Sequence, residues 1–330
     1  MKLNPNIKIL TASILAATVS AVLSIALCIS LINMSFFVFF FGFFVSLPIV
    51  TMTFGYGIKV SLLSAIIAAF FLIPNLSTVT ALLITLFFFI PSLFLSWLMG
   101  LAQIDRQKGV VIWYPLSPAL FQLALTIAIA TIAVMLYILS SVEVTQYIDK
   151  FITRLMIAIR ESYFYSVEDQ AIIEQAIRLR FISIIASILP FYGLLCHTGT
   201  IYFAMRLANK IGYLQRPLDD WPTALHMPPV AFFIFAVDWM ISPFIKNATL
   251  AICMAVIVSA LSTGFMIAGL AVIHKATRGF VWRPAVLFAI YGGFFTLILT
   301  PLITIGLIII GLFTTTSNRK IKPSGDDHFT

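Results

Sequence analysis

Long apolar runs dominate the sequence, and short polar segments separate them. A helix needs about 20 apolar residues to cross a bilayer. The runs that approach or exceed this length are residues 9–31, 36–54, 59–73, 79–99, 118–139, 181–207, 229–244, 249–273 and 284–313. This pattern predicts an all-α, polytopic membrane helix bundle of nine or ten transmembrane helices.

The last of these runs, residues 284–313, is about 30 residues long, and Pro301 lies near its middle. It is too long for one upright helix, and proline removes a helix hydrogen bond, so we expect two short helices here and ten crossings in all. With the N-terminus inside, ten crossings place fourteen of the twenty Lys and Arg residues on the inner side. The positive-inside rule then predicts that both termini are cytoplasmic.

Polar segments divide the chain into four parts. We expect an N-terminal membrane half over residues 1–140, an extracytoplasmic segment over 141–180, a C-terminal membrane half over 181–315 and a disordered cytoplasmic tail over 316–330. The extracytoplasmic segment repeats apolar residues at helical spacing, which predicts an amphipathic helix with one buried face. That face would consist of Ile148, Phe151, Ile152, Leu155 and Ile159.

The composition supports lipid as the solvent and as the first partner of the chain. Hydrophobic residues make up 61% of the 330 residues and charged residues only 10%, and the mean hydropathy is +1.09. Soluble domains carry about 25% charged residues. The net charge of +8 suits loops held against an anionic leaflet, and no basic run interleaved with aromatic residues points to nucleic acid.

Sequence motifs of enzymes are missing. The chain contains no Walker A loop, no HExxH, no GxSxG and no cluster of carboxylates. Cys28, Cys196 and Cys253 lie far apart in apolar runs and form neither a metal-binding motif nor a disulfide framework. We therefore expect no enzymatic activity, no cofactor and no metal site.

Short motifs near both ends of the chain carry a family resemblance. Leu47 and Pro48 are followed by Gly55 and Gly57, and the string GLAVIH from Gly269 to His274 precedes basic residues and the proline-broken last run. With these motifs the chain resembles the YybS-like family of bacterial membrane proteins. More distantly it resembles the S-components of energy-coupling-factor transporters and the rod-shape protein MreD. The resemblance implies an S-component-like front half, a place in the bacterial inner membrane, and other membrane or ATPase subunits as partners.

The first apolar run carries a further point of resemblance to S-components, which dock their partner through small residues four apart. Ala12 and Ala16 show this spacing, and so do Ala17 and Ala21. Small residues four apart let two helices approach closely in lipid. The stripe therefore has two interpretations, docking of a partner subunit and ordinary packing inside the bundle.

His197 and Asp238 are the ionisable residues that stand out within the apolar runs. His197 lies nine residues before Arg206, and Asp238 lies ten residues after Pro228. If those two flanking residues mark the inner face, both side chains lie about 13–15 Å deep. We predict that they meet in one polar spot between consecutive helices. This spot would be either a structural tie or a site for a solute or proton, unless Asp238 lies nearer the outer interface.

Two classes of function remain open on these observations. The first is a solute-binding membrane subunit with a cavity between helices. The second is a non-catalytic envelope scaffold that resembles MreD. A polar-lined cavity favours the first class, and a tightly packed bundle with an apolar groove favours the second.

Overall fold

A computed structural model describes residues 5–33, 35–105, 109–162, 167–294, 296 and 299–317. In chain order the helices are α1 (Pro5–Ile32), α2 (Phe37–Phe44), α3 (Leu47–Tyr56), α4 (Ile58–Leu72), α5 (Thr78–Ile84), α6 (Ile90–Met99), α7 (Leu116–Ser140), α8 (Val142–Ser162), α9 (Val167–Lys210), α10 (Trp221–Ala224), α11 (Pro229–Ile241), α12 (Ala248–Ala276), α13 (Arg283–Gly293) and α14 (Leu299–Ser317). A π-helical turn, Thr85–Phe89, joins α5 to α6, and a 3₁₀ turn, Ser242–Phe244, follows α11. Two antiparallel strands, β1 (Ala102–Asp105) and β2 (Val110–Trp113), form a hairpin before α7 in which Ala102 pairs with Trp113.

The described helices confirm the prediction of an all-α, polytopic membrane bundle. Those long and apolar enough to cross a bilayer are Ile7–Ile32, Phe37–Tyr56, Thr78–Met99, Leu116–Ser140, Arg180–Lys210, Ala248–Ala276 and Leu299–Thr316. Two shorter apolar helices, Ile58–Leu72 and Pro229–Phe244, lie between them in the chain. Each corresponds to one of the apolar runs in the sequence.

Several turns of the chain meet at one end of the bundle, which we call the hairpin face. It comprises the β1–β2 hairpin, the turn at Gly57, residues 211–220 and Arg278. Gly57, with φ of 90°, separates α3 from α4 and lines one cavity together with Trp113 and Arg216. Arg278 forms an ion pair with Asp220. The helices α3, α6, α9 and α12 therefore all end at this face, and α8 lies toward the opposite end.

The closest helix contact involves α12 and α14, where glycine is required. A Cβ atom on Gly269 would collide with the backbone of Leu307, and one on Gly311 would collide with the backbone of Phe265. The residue numbers rise along one helix as they fall along the other, so the two helices are antiparallel. Small residues allow such close approach in lipid, where packing drives helix association.

This contact corrects the predicted topology of the C-terminal region. The last apolar run is divided as expected, because α13 ends at Gly293 and α14 begins at Leu299. However, α13 has 11 residues, which extend for only about 16 Å and do not cross a bilayer. Since α14 then runs antiparallel to α12, it leads away from the hairpin face, where α12 ends. Among the described helices, α13 therefore does not supply a tenth crossing, whereas the side on which each terminus lies stays a prediction.

The segment between α9 and α11 lies partly inside the bundle. Leu225 and Met227 are buried, and a Cβ on Gly264 would meet the Met227 side chain. Gly264 is near the middle of α12, so α11, which starts at Pro229, begins about halfway along α12. The other end of α11 leads into α12 through residues 245–247. This crossing therefore consists of a mostly irregular half next to the hairpin face, which contains the short helix α10, and a helical half formed by α11.

The alanine stripe of α1 packs within the chain. Ala16, Ala17 and Ala21 are buried, whereas Ala12 is half-buried. Helix α1 packs most extensively against α4. These contacts favour ordinary packing over the docking of a partner at this stripe.

The segment predicted to lie outside the membrane is helical in its described part. Within α8, Ile152 is buried and Ile148 is half-buried. The side chains of Phe151, Leu155 and Ile159 lie outside the described residues. Of the predicted tail, residues 316–330, Thr316 and Ser317 belong to α14, and the rest lies outside the described part of the chain.

Candidate functional site

Pro91 creates the polar environment of His197. Proline has no N–H, so the carbonyl of Phe87, four residues earlier, receives no helical hydrogen bond from it. The π-helical turn Thr85–Phe89 accommodates the break. His197, which is 1% exposed, places Nε2 2.9 Å from that carbonyl oxygen and Nδ1 2.8 Å from the hydroxyl of Ser92. Both ring nitrogens therefore have partners.

These partners determine the tautomer of His197. The Phe87 carbonyl can only accept, so Nε2 carries the proton and donates it. Nδ1 then accepts a hydrogen bond from the Ser92 hydroxyl. Burial among apolar side chains favours this neutral imidazole, and both of its ring nitrogens are bonded. It is a structural tie between α9 and α6.

Other carbonyls beside the helix breaks are bonded in the same way. Ser46 donates to the carbonyl of Phe88 at 3.0 Å. From α9, Thr200 donates to the carbonyl of Phe43 at 2.6 Å, and Tyr192 donates to α2 as well. Such side-chain bonds satisfy irregular backbone inside a membrane. Polar side chains of α9 thus hold the broken helices of the front half.

Asp238 does not meet His197, so the predicted pairing is wrong. Ser259 in α12 donates to the carbonyl of Ser187 in α9 at 2.5 Å, which sets these two positions at one level. His197 lies ten residues from Ser187 toward the hairpin face. Asp238 shares a groove with Met254, which is five residues from Ser259 in the other direction. At about 1.5 Å per residue the two side chains are about 22 Å apart along the bundle.

This separation arises because the residues before α11, including Leu225 and Met227, are buried within the bundle. The sequence-based depth assumed that the helix starts at the inner face, whereas α11 starts about halfway along α12. Asp238 therefore lies in the half of the bundle that is away from the hairpin face. Its residue exposure is 3%, and neither carboxylate oxygen has a hydrogen-bond partner among the described residues.

The two residues of the motif near the C-terminus have separate structural roles. Gly269 makes the close contact with α14. His274, at the end of α12, places Nε2 2.8 Å from the hydroxyl of Tyr291 in α13. The pair joins α12 to α13 near the hairpin face.

A polar cavity of about 280 Å³ lies at the hairpin face. It is bounded by α3, the start of α4, the end of α6, the β1–β2 hairpin and the segment after α9. Its lining residues are Thr53, Phe54, Gly57, Ile58, Trp97, Gly100, Leu101, Trp113, Leu214, Gln215 and Arg216. The lining thus combines an arginine, a hydroxyl, an amide and two tryptophans with aliphatic side chains.

Arg216 is the charged residue of this cavity and is 4% exposed. Nη1 donates to the carbonyl of Met99 at 2.7 Å, with the Tyr114 carbonyl at 3.4 Å, and Nη2 donates to Asp219 at 2.5 Å. Its Cζ lies 5.9 Å from the ring centre of Trp113. Burial lowers the pKa of Arg216, and the adjacent Asp219 carboxylate opposes this shift. The guanidinium thus joins α6, the start of α7 and the segment after α9.

A chain of hydroxyl groups extends from the cavity into the bundle. Thr53 donates to Ser61 at 2.7 Å, and Ser61 donates to the carbonyl of Ile49 at 2.8 Å. Ser96 donates to Thr53 at 3.1 Å. Ser96 is one turn along α6 from Ser92, the partner of His197. The cavity and the histidine are therefore connected through polar positions on α6.

The sequence patterns did not single out Arg216, because it is one of many basic residues at predicted inner ends. A local signal was present in Arg-Pro-Leu-Asp from Arg216 to Asp219, in which opposite charges flank a proline turn. Ser92 gave no signal, since serine is common in membrane helices. Its role depends on the carbonyl that Pro91 frees.

Comparisons with known proteins identify no relative that bears on this site. No family model, curated protein or solved structure matches the chain.

Proposed function

We propose that the protein is a solute-binding subunit of the bacterial inner membrane that takes a small anion into the cavity at the hairpin face. The observation that carries the proposal is the buried Arg216 in the wall of a polar cavity. The resemblance to S-components supports the same class. The positive-inside rule supports a cytoplasmic position for the hairpin face and for the start of α1.

The free hydrogen-bonding capacity of Arg216 indicates what the cavity would bind. A guanidinium has five N–H donors. Three bonds go to Met99, Tyr114 and Asp219, and Nε has no partner among the described residues. Nε is enclosed in the cavity wall, and a carboxylate or a phosphate that reached it would bond its N–H and the remaining Nη2–H as a pair. Gln215 and Thr53 add polar groups beside them.

Binding of defined anions to the purified full chain tests this proposal. In phosphatidylcholine nanodiscs, inorganic phosphate or succinate should raise the melting temperature of the wild type in a saturable manner. Arg216→Lys keeps the charge but loses the forked donors, so it should weaken binding about tenfold or more. The matched control is Arg206→Gln, which removes an exposed charge from α9 and should leave binding unchanged. Absence of a saturable shift with either anion contradicts the proposal.

The scaffold class is the second candidate, and the β1–β2 hairpin is the observation that favours it. Ile104, Val110 and Ile112 are all more than half exposed. An exposed apolar strand pair offers backbone and side chains for strand addition by a partner. Replacing residues 102–113 by a Gly-Ser loop should then abolish co-purification of membrane partners. It should also weaken anion binding, because Trp113 lines the cavity. Unchanged co-purification contradicts this alternative.

A further inference from the structure

Asp238 lies in the wall of a second, apolar cavity between α11 and α12. The cavity has a volume of about 370 Å³ and is open along one side. Its other lining residues are Phe233, Ile234, Val237, Met254 and Ile257. Asp238 is thus the single ionisable group in this lining, and both of its carboxylate oxygens are buried just beneath the cavity surface without a partner among the described residues.

The residues beside Asp238 show which way the groove faces. Val237 is 54% exposed and Trp239 is 67% exposed. Exposed apolar side chains on a membrane helix contact lipid, so the groove opens toward the acyl chains. In such surroundings the carboxyl group takes up a proton unless a cation or hydrogen-bond donor stabilises its ionised form.

The lining restricts the kind of cation. Calcium takes six to eight oxygen ligands, and magnesium requires about six. One carboxylate with five apolar side chains does not supply them. An ammonium group on an apolar body does match the site, since the ammonium donates to the carboxylate and the body fills the remaining volume.

We propose that the groove between α11 and α12 binds a small amphiphilic ammonium compound, with Asp238 as its counter-ion. This site shares no lining residue with the anion cavity and lies in the half of the bundle away from the hairpin face. The ligand reaches it from the lipid phase. Neither binding site depends on the other.

A fluorescent primary amine, 2-(1-naphthyl)ethylammonium, provides a direct test with the full chain in phosphatidylcholine nanodiscs. Its fluorescence anisotropy should rise saturably with wild-type protein. Asp238→Asn keeps the shape and removes the charge, and it should weaken binding about tenfold or more, as expected for a charge-assisted hydrogen bond. Glu143→Gln, a matched neutralisation at the start of α8, should bind as the wild type does.

A second variant and a neutral probe separate recognition from simple partitioning. Met254→Trp fills the groove and keeps the carboxylate, so it should also abolish saturable binding. The neutral 1-ethylnaphthalene should not distinguish wild type from Asp238→Asn. Equal binding of the amine to wild type and Asp238→Asn, or no saturable binding to the wild type, overturns the proposal.

Discussion

His197 and Asp238 are both buried in apolar helices, yet their surroundings are opposite. Both ring nitrogens of His197 are bonded, and both oxygens of Asp238 lack a described partner. The difference follows from the backbone next to each. A proline in a helix frees a carbonyl, which only accepts hydrogen bonds. Donors such as His197 find partners beside the broken helices, whereas a carboxylate next to the unbroken α12 finds none.

The largest effect is expected from His197→Leu. The substitution leaves the Phe87 carbonyl and the Ser92 hydroxyl without their partner, which costs about 2 kcal/mol of folding free energy. Thermal unfolding in detergent would show the lower stability. Lys246→Gln, an exposed position between α11 and α12, is the control and should change stability by less than about 0.5 kcal/mol. Equal effects of the two substitutions would mean that the buried hydrogen bonds contribute nothing.

Asp238→Leu should act in the opposite direction. Replacing an unpartnered buried carboxylate by an apolar side chain should stabilise the ligand-free protein by about 1–2 kcal/mol. The same unfolding assay measures this gain, and Asp238→Asn should give a smaller one. A loss of stability in both variants would show that Asp238 has a partner within the chain.

Pro91→Ala tests the origin of the difference. Alanine restores an N–H that can bond the Phe87 carbonyl, so the helix then competes with His197 for the same acceptor. The single substitution and the double substitution Pro91→Ala/His197→Leu form a cycle with His197→Leu. We expect a coupling free energy of about 1 kcal/mol, because the histidine matters less once the carbonyl is bonded. Additive effects would show that the freed carbonyl is not the cause.

Asp220 extends the comparison to a carboxylate outside the membrane and should give the smallest effect. Hydrogen bonds from Arg278 and Thr223 lower its pKa from 3.8 to about 2. A lowered pKa in the folded state means that its contribution is complete above about pH 4 and is lost as the pH falls toward 2. The melting temperature of Asp220→Asn should therefore differ slightly from that of the wild type at pH 5–7, and the difference should shrink below pH 4. A difference that grows on acidification contradicts this assignment.

The sequence predicted the helices well and the site poorly, for a physical reason. Apolar runs reflect contact with lipid, which each helix experiences on its own, so their number and bounds follow from local composition. The position of Asp238 depends instead on how deep residues 221–228 pack, and that depends on Gly264 far along the chain. The role of Arg216 was not predicted for a similar reason: its partners Met99 and Tyr114 are more than 100 positions away in the sequence.

The contact between Gly269 and Leu307 has a consequence for how the chain is inserted during synthesis. If the hairpin face is cytoplasmic, as proposed above, α14 starts on the cytoplasmic side, and the sequence that follows it contains Arg319, Lys320 and Lys322, whose charges favour that same side. Charge alone would leave this last helix uninserted or reversed. The close fit of α14 to α12 opposes that preference, so we expect Gly269→Leu to yield molecules whose C-terminal ends are divided between the two sides of the membrane.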